Sequence, residues 1–345
     1  MKKLLNTLYV TTPEAWVHRD GETVDIRLHG ERLGRLPIHN LDSIVCMGHD
    51  VLMSPALMEL CAERGVSMVY LSESGRFQAR VEGPISGNVL LRKQQYKTSE
   101  NEPAALAIAK ACVAAKIQNG RTNLLRHLRN HPDTFGKEEV EKVIARLAIL
   151  LKELKNNCTT LDSLRGYEGM CADEYFSVFD HMIVAQKNDF RFLKRTRRPP
   201  MDRVNALLSF IYVLLTAACR SALESVGLDP AVGFLHRDRP GRPSMALDLV
   251  EEFRHSIADR IVLSLINLQI LQASDFKITP TGAVEINDDA KKVILQNWQK
   301  RKQEQIQHPY LEESVPLGLF PYVQAQLLAR TLRGDLDFYP ACLYR

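Results

Sequence analysis

The sequence predicts an α+β protein, with a small β-rich N-terminal domain over residues 1–85 and a larger all-α C-terminal domain over residues 86–345. Three observations carry that expectation. A chain of 345 residues is long for one domain and favours two. Its first eighty-odd residues alternate apolar and polar side chains with a period of two, as half-buried strands do. From about residue 88 the apolar positions recur every three or four residues, as on helices packed along one face.

The elements follow in order. In "TVDIRLHG", Val24, Ile26 and Leu28 alternate with Asp25, Arg27 and His29. Asp20-Gly21 lies between two such runs, a short-range hairpin signal. One helix interrupts the strands, with Ser54 as N-cap, Pro55 at its first position and Gly65 as its stop. "VSMVYLSESGRFQARVEG" then returns to strands. In the second half, "EVEKVIARLAILLKEL" is amphipathic, with lysine and glutamate opposite its apolar stripe. The run "ALLSFIYVLLTAAC" (206–219) predicts a buried core helix, since a bilayer span needs about 20 apolar residues. A long helix is expected from 244 to about 272, and "FKITPTGAVEI" (276–286) reads as a lone hairpin.

Composition excludes several classes. Hydrophobic content of 45% with 25% charged residues is ordinary for a soluble globular protein, and a net charge of +4 is too mild to argue nucleic-acid binding from the total. The seven cysteines are scattered and form no Cys-x-x-Cys pair, which predicts free thiols in a reducing cytoplasm. "MKKLLNTLYVTTPEA" starts like a signal peptide, but Asn6 and Thr7 break its apolar core. No membrane partner is expected. There is no P-loop, no G-x-S-x-G elbow and no G-x-G-x-x-G after a strand. His49-Asp50 is a lone dyad and reads as structural.

"GFLHRDRPGRPSMALDLVEEFRH" (233–255) is the most informative stretch. Asp248 and Glu251 are three apart and share a helix face, with His255 near it. Acids near a helix start are stabilised by its dipole, and that alone accounts for them. His236, however, sits in a loop with Arg237, Arg239 and Arg242, and Arg254 follows on the helix. A neutral imidazole beside two acids and several arginines fits a divalent ion facing a phosphate. Glu168 lies between Gly166 and Gly169, ahead of an expected helix carrying Tyr175 and Phe176. Glycines there let a backbone or ligand approach closely.

Basic residues cluster twice. "RFLKRTRR" (191–198) carries Lys194, Arg195, Arg197 and Arg198 with Phe190 and Phe192 close by, and "KKVILQNWQKRKQ" (291–303) carries Trp298. Such runs are usually solvated faces, but two with aromatics favour a surface for a phosphate backbone.

"RGYEGMCADEYF", "NALLSFIYVLLTAACRSALESVGLDPAVGFLH" and "PSMALDLVEEFR" with "ADRIVLSLIN" together resemble the CRISPR-associated integrase of adaptation modules, the Cas-one family. The likeness runs the whole length, including "GPISGNVLLRKQQY" between the domains, and the ending "GDLDFYPACLYR" looks like the type I-C subgroup. The resemblance implies a metal triad of Glu168, His236 and a third acid, by position Glu251, with Asp248 held close by. The choice between Asp248 and Glu251 as third ligand stays open. His255 has no counterpart as a ligand.

The resemblance further implies Mg²⁺ or Mn²⁺ as cofactor and 3′-OH attack on phosphodiesters, which inserts captured fragments into a CRISPR array. Implied partners are double-stranded DNA (the fragment and the leader and repeat), a second copy in a homodimer, and an adaptation exonuclease. A small ferredoxin-like protein is implied as well, bridging two dimers into a heterohexamer. Two alternatives stand beside this: a non-catalytic DNA-binding scaffold, and a metal-dependent hydrolase of small molecules.

Overall fold

Among the described residues, alternation with a period of two becomes two four-stranded sheets. The structure, a computed structural model, describes residues 6–41, 43–48, 50–72, 77–81, 83 and 89–344. In the first sheet, β1 (Thr7–Val10), β5 (Ser43–Met47) and β7 (Ser67–Leu71) run parallel, and β8 (Phe77–Val81) pairs antiparallel with β7. The second is ordered β4 (Glu31–Pro37), β3 (Thr23–Leu28), β2 (Trp16–Asp20), β6 (Leu52–Met53). The predicted hairpin joins β2 to β3, with Asp20 opposite Thr23 and Gly21 at φ +62° in the turn. Helix α1 (Pro55–Arg64) has the predicted punctuation: Ser54 Oγ accepts from Leu57 N, and Gly65 ends it at φ +68°. Val17, Val24, Ile44, Leu57, Leu60 and Met68 pack into one core.

The polar face of β3 differs from expectation. Asp25 is fully buried, and it stays charged because Arg27 and Arg32 both pair with it; His18 Nε2 lies 3.3 Å from the same carboxylate. A carboxylate out of water needs such partners.

The rest of the chain contains α2 (Val89–Glu100), α3 (Glu102–Asn130), α4 (Lys137–Asn157), α5 (Leu161–Ser177), α6 (Arg203–Ser225), α7 (Ser244–Phe253), α8 (Arg260–Asn267), α9 (Asp288–Gln303) and α10 (Phe320–Arg333). It is not purely helical. The predicted hairpin is there as β9 (Phe276–Ile278) and β10 (Val284–Ile286), with Gly282 at φ +81°. Two further strands, β11 (Gln305–Gln307) and β12 (Ser314–Pro316), also pair. By length and composition α6 could cross a membrane, but it is packed against α7 and α10 and its apolar side chains line the core.

Two expected helix boundaries shift. The long helix from 244 ends at Asn267, and over Arg254–Asp259 it widens into π-helical turns. Helix α5 begins at Leu161, where Thr160 caps Ser163 N, so Glu168 lies inside the helix rather than ahead of it. Gly166 and Gly169 did not stop the helix, because glycine inside a helix costs only about 1 kcal/mol against alanine.

The chain divides into two units. One comprises Met1–Gly87 with Asp288–Gln305 and Pro316–Leu319; the other comprises Asn88–Asn287, Ile306–Val315 and Phe320–Arg345. Helix α9 thus belongs with the N-terminal strands: Trp298 is buried, and Lys302 Nζ donates to Thr7 Oγ1 at 3.1 Å. His49 of the His49-Asp50 dyad and residues 84–88 of the segment between the domains lie outside the described residues.

Candidate metal centre

The site grows from one buried carboxylate. Asp248, on the second turn of α7, is fully buried and holds the segment Gly233–His236 against the helix. Its Oδ2 accepts from Phe234 N at 2.6 Å and Leu235 N at 2.9 Å. Its Oδ1 accepts from His236 N at 3.0 Å and lies 2.6 Å from His236 Nδ1. The segment must come very close: a Cβ on Gly233 would lie 2.8 Å from Asp248 Oδ2, so only glycine fits. From the other side, Arg165 Nε on α5 donates to Leu235 O at 2.8 Å.

This clamp fixes the histidine's chemistry. A ring nitrogen facing a carboxylate carries the proton, so Nδ1 is the donor and Nε2 is the nitrogen left for another partner. Among the described residues, Nε2 has no hydrogen-bond partner, and the side chain is partly open to solvent. Asp248 itself has four donors on two oxygens and nothing left for an ion.

Helices α3, α5 and α7 pack together and bring two acids to one place. Glu251 lies one turn beyond Asp248, and Glu168 projects from the middle of α5. Between them sits the ammonium of Lys116, from the middle of α3. It pairs with Glu168 and lies 2.7 Å from Glu251 Oε2. Arg254 Nη2 reaches Glu251 Oε1 at 2.9 Å. Burial pushes the Glu251 carboxyl up, but the Arg254 and Lys116 cations beside it more than offset that and hold it well below the usual carboxylate range. Glu251 is therefore an anion even though it is buried.

Among the described residues, no three His, Cys, Asp or Glu side chains form a ready-made metal cluster. The cation position is filled by Lys116 instead. The donors are still the right ones for a hard divalent ion: two carboxylates that already share a cation, and an imidazole whose orientation is set by a buried acid. Glu168, Glu251 and His236 fit such an ion chemically, provided that the ammonium yields.

His255 is turned away from this centre. Its Nδ1 lies 2.7 Å from Asp259 Oδ2, its ring packs on Tyr175, and burial lowers its pKa.

The basic residues separate into two groups. Lys194, Arg197, Arg198, Arg237 and Arg239 are exposed, Arg242 half so, and Arg237 also pairs with Asp162 at 2.7 Å. Arg195 and Arg254 face inward. Arg195 donates to Asn205 Oδ1 at 2.7 Å and Ser209 Oγ at 3.1 Å, and the two guanidiniums lie over the Tyr212 ring at 5.4 and 4.8 Å. In the 291–303 stretch, Lys291, Lys292 and Arg301 pair with Asp288, Asp289 and Glu304 on their own segment. That stretch is an amphipathic helix whose inner face, with Ile294, Leu295 and Trp298, is buried.

Sequence reasoning missed two residues. Lys116 stands alone in the apolar run "ACVAAKIQNG". Its signal was periodic: Lys116, Asn119, Asn123 and His127 recur at three- and four-residue spacing as a polar seam on a buried face. Glu252, next to the candidate ligand, is fully buried and accepts from Tyr339 Oη at 2.5 Å, Gln324 Nε2 at 2.8 Å and Cys342 N at 2.7 Å. It ties the C-terminal segment to α7.

Comparison with known proteins places this arrangement. Residues 8–300 match the family model described as CRISPR associated protein Cas1. The chain is 53% identical over 348 residues to the CRISPR-associated endonuclease Cas1 2 of Rhodospirillum rubrum, covering 100% of both. It is 49% identical over 345 residues to the CRISPR-associated endonuclease Cas1 1 of Chlorobaculum tepidum, again covering 100% of both. Among solved structures it resembles a CAS1 protein from Thermotoga maritima, with TM-score 0.81 and 22% identity over 96% of this chain and 99% of that one. It also resembles a casposase bound to integration product, with TM-score 0.83 and 23% identity over 98% of this chain and 94% of that one.

Proposed function

The chain belongs to the CRISPR-associated Cas1 family, and from that premise we propose that it is a metal-dependent DNA endonuclease and integrase. In this reading it inserts captured foreign fragments into a CRISPR array. The observation that carries the reading is a single cation position shared by Glu168 and Glu251, beside a histidine locked by Asp248 with Nε2 free. Glu168, His236 and Glu251 would hold the ion; Asp248 would not.

What bound Mg²⁺ or Mn²⁺ supplies is polarisation of the phosphodiester and a lowered pKa for the attacking 3′-OH, or for water when the enzyme cuts. The chain's own residues prepare the site. Asp248 orients the His236 ring through Nδ1, and Arg254 and Lys116 keep the buried Glu251 carboxylate ionised. No serine or cysteine nucleophile is needed: all seven cysteines are buried, and burial pushes the Cys171 thiol beside the site up to about 12. Lys194, Arg197, Arg198, Arg237, Arg239 and Arg242 are the proposed phosphate contacts.

The proposed partners are duplex DNA, a second copy of the chain, and a small ferredoxin-like adaptation protein that completes a heterohexamer. An adaptation exonuclease joins them, in keeping with a Cas4/Cas1 fusion from Geobacter sulfurreducens that is 34% identical over 96% of this chain. The reading places the protein in the cytoplasm and, by its C-terminal sequence, in a type I-C-like subgroup. The ammonium already neutralising the two acids is the observation that favours the alternative, a non-catalytic DNA-binding scaffold.

Strand transfer separates the two. A duplex with 3′-OH ends is offered to a plasmid bearing a leader and repeat, with Mn²⁺, with and without the small partner. The integrase predicts joined product with the wild type and none with His236→Ala. Equal product from both would exclude the triad, and DNA binding without product from either would favour the scaffold.

A further inference from the structure

Lys116 is buried, with its side chain 3% exposed, and among the described residues its nitrogen meets Glu168 and Glu251 and no other acceptor. We propose that Lys116 is a resident cation which a divalent ion must displace, and that a DNA phosphate takes up the released ammonium, so that metal loading is coupled to DNA binding. This rests on the metal reading of the Glu168–His236–Glu251 site.

The argument starts from charge. A buried ammonium needs its counter-ions, and two carboxylates that already balance it cannot also hold a dication at the same place without strong repulsion. Metal binding therefore requires the lysine to move. If it moves with nothing to meet, the cost is that of an unpaired charge in a poorly solvated place. Glu168 is the open wall of the site, at 29% exposure against 3% for Glu251. On the same helix, a Cβ on Gly166 or Gly169 would meet nothing within 4 Å. The lysine's route out thus passes Glu168, on the side where a phosphate can approach. A phosphate oxygen offers the ammonium a charge-assisted hydrogen bond. Each ligand then improves the site for the other, and the coupling must be reciprocal.

The two carboxylates around the buried Lys116 ammonium assign it a role distinct from that of the exposed arginines. Those contribute attraction for DNA whether or not metal is present. Lys116 instead sets how much DNA changes metal affinity.

The test measures Mn²⁺ uptake by the full-length protein, from the loss of the free-ion EPR signal, with and without a duplex whose 3′ ends lack hydroxyls. Wild type is compared with Lys116→Met and Lys116→Gln, each checked for folding by circular dichroism. Wild type should bind Mn²⁺ weakly alone and about tenfold more tightly with the duplex. Both variants should bind Mn²⁺ about tenfold more tightly than wild type without DNA, and gain little from the duplex. If only the glutamine variant folds, it decides alone. Variants that match wild type in both conditions, or bind Mn²⁺ more weakly, would overturn the role of Lys116 and leave the metal reading standing. No Mn²⁺ uptake by wild type in either condition would overturn both.

Discussion

Asp248 and Glu251 sit one turn apart and look interchangeable in the sequence, yet the fold gives them opposite tasks. One holds three backbone N–H groups and an imidazole; the other faces a cation. Asp248→Ala should therefore destabilise the protein by about 3–5 kcal/mol in chemical denaturation, since it leaves buried donors unpaired. Asp248→Asn is isosteric but turns one acceptor into a donor that faces N–H groups, so it should destabilise the protein as well and lower strand transfer by about 10–100-fold. The residue types and their spacing could be read from the sequence. The division of labour could not, because it depends on a loop brought within hydrogen-bond reach by Gly233. The same holds for the arginines. Arg195 and Arg197 are equivalent in "RFLKRTRR", but Arg195 is bound to Asn205 and Ser209 while Arg197 is exposed. Arg195→Ala should lower the melting temperature. Arg197→Ala should leave it unchanged and reduce the salt dependence of DNA binding by about one phosphate contact, as a log–log titration reads it.

At the scale of elements, most helices and strands announced themselves. Caps, hairpin turns and apolar periods placed α1, the β2–β3 hairpin, α4, α6 and the β9–β10 hairpin. The sequence was silent on close approaches. Gly120 sits in α3 where a Cβ would lie 3.0 Å from His255 Cδ2 and 3.3 Å from Tyr175 Cδ2, whereas a Cβ on Gly166 of α5 would meet nothing within 4 Å. Gly120→Ala should cost about 1–3 kcal/mol of stability through overpacking. Gly166→Ala should add about 0.5–1 kcal/mol by favouring the helix. Thermal unfolding of the two variants, side by side, checks both signs. The π-helical turns at Arg254–Asp259 had no local signal either. Within them Arg254 pairs back to Glu251 and His255 forward to Asp259, at the three- and four-residue spacings any helix offers.

For the molecule as a whole, the period change near residue 88 separated a strand-rich part from a helical part, but chain order misled about α9. That helix packs with the N-terminal strands through Trp298, a long-range contact that no window of sequence reports. Stability against acid also belongs to this scale. Burial, together with the nearby charges of His131, His181 and Lys187, holds His127 at about 4, below its ordinary 6.5. The folded form thus binds a proton less readily than the unfolded chain. Its contribution is fully present above about pH 6.5 and is lost as the pH falls towards about 4. His127→Gln should flatten the stability profile across that window, as denaturation midpoints at a series of pH values would show.

The central claim is that Glu168, His236 and Glu251 hold one divalent ion. Anomalous diffraction from crystals of the protein soaked in Mn²⁺ with a bound duplex tests it most directly. The account predicts one manganese peak contacting those three side chains, with Asp248 still on His236 Nδ1 and Lys116 moved off Glu251. A site without manganese that still holds Lys116 between the two carboxylates, or a peak bound elsewhere, would contradict it.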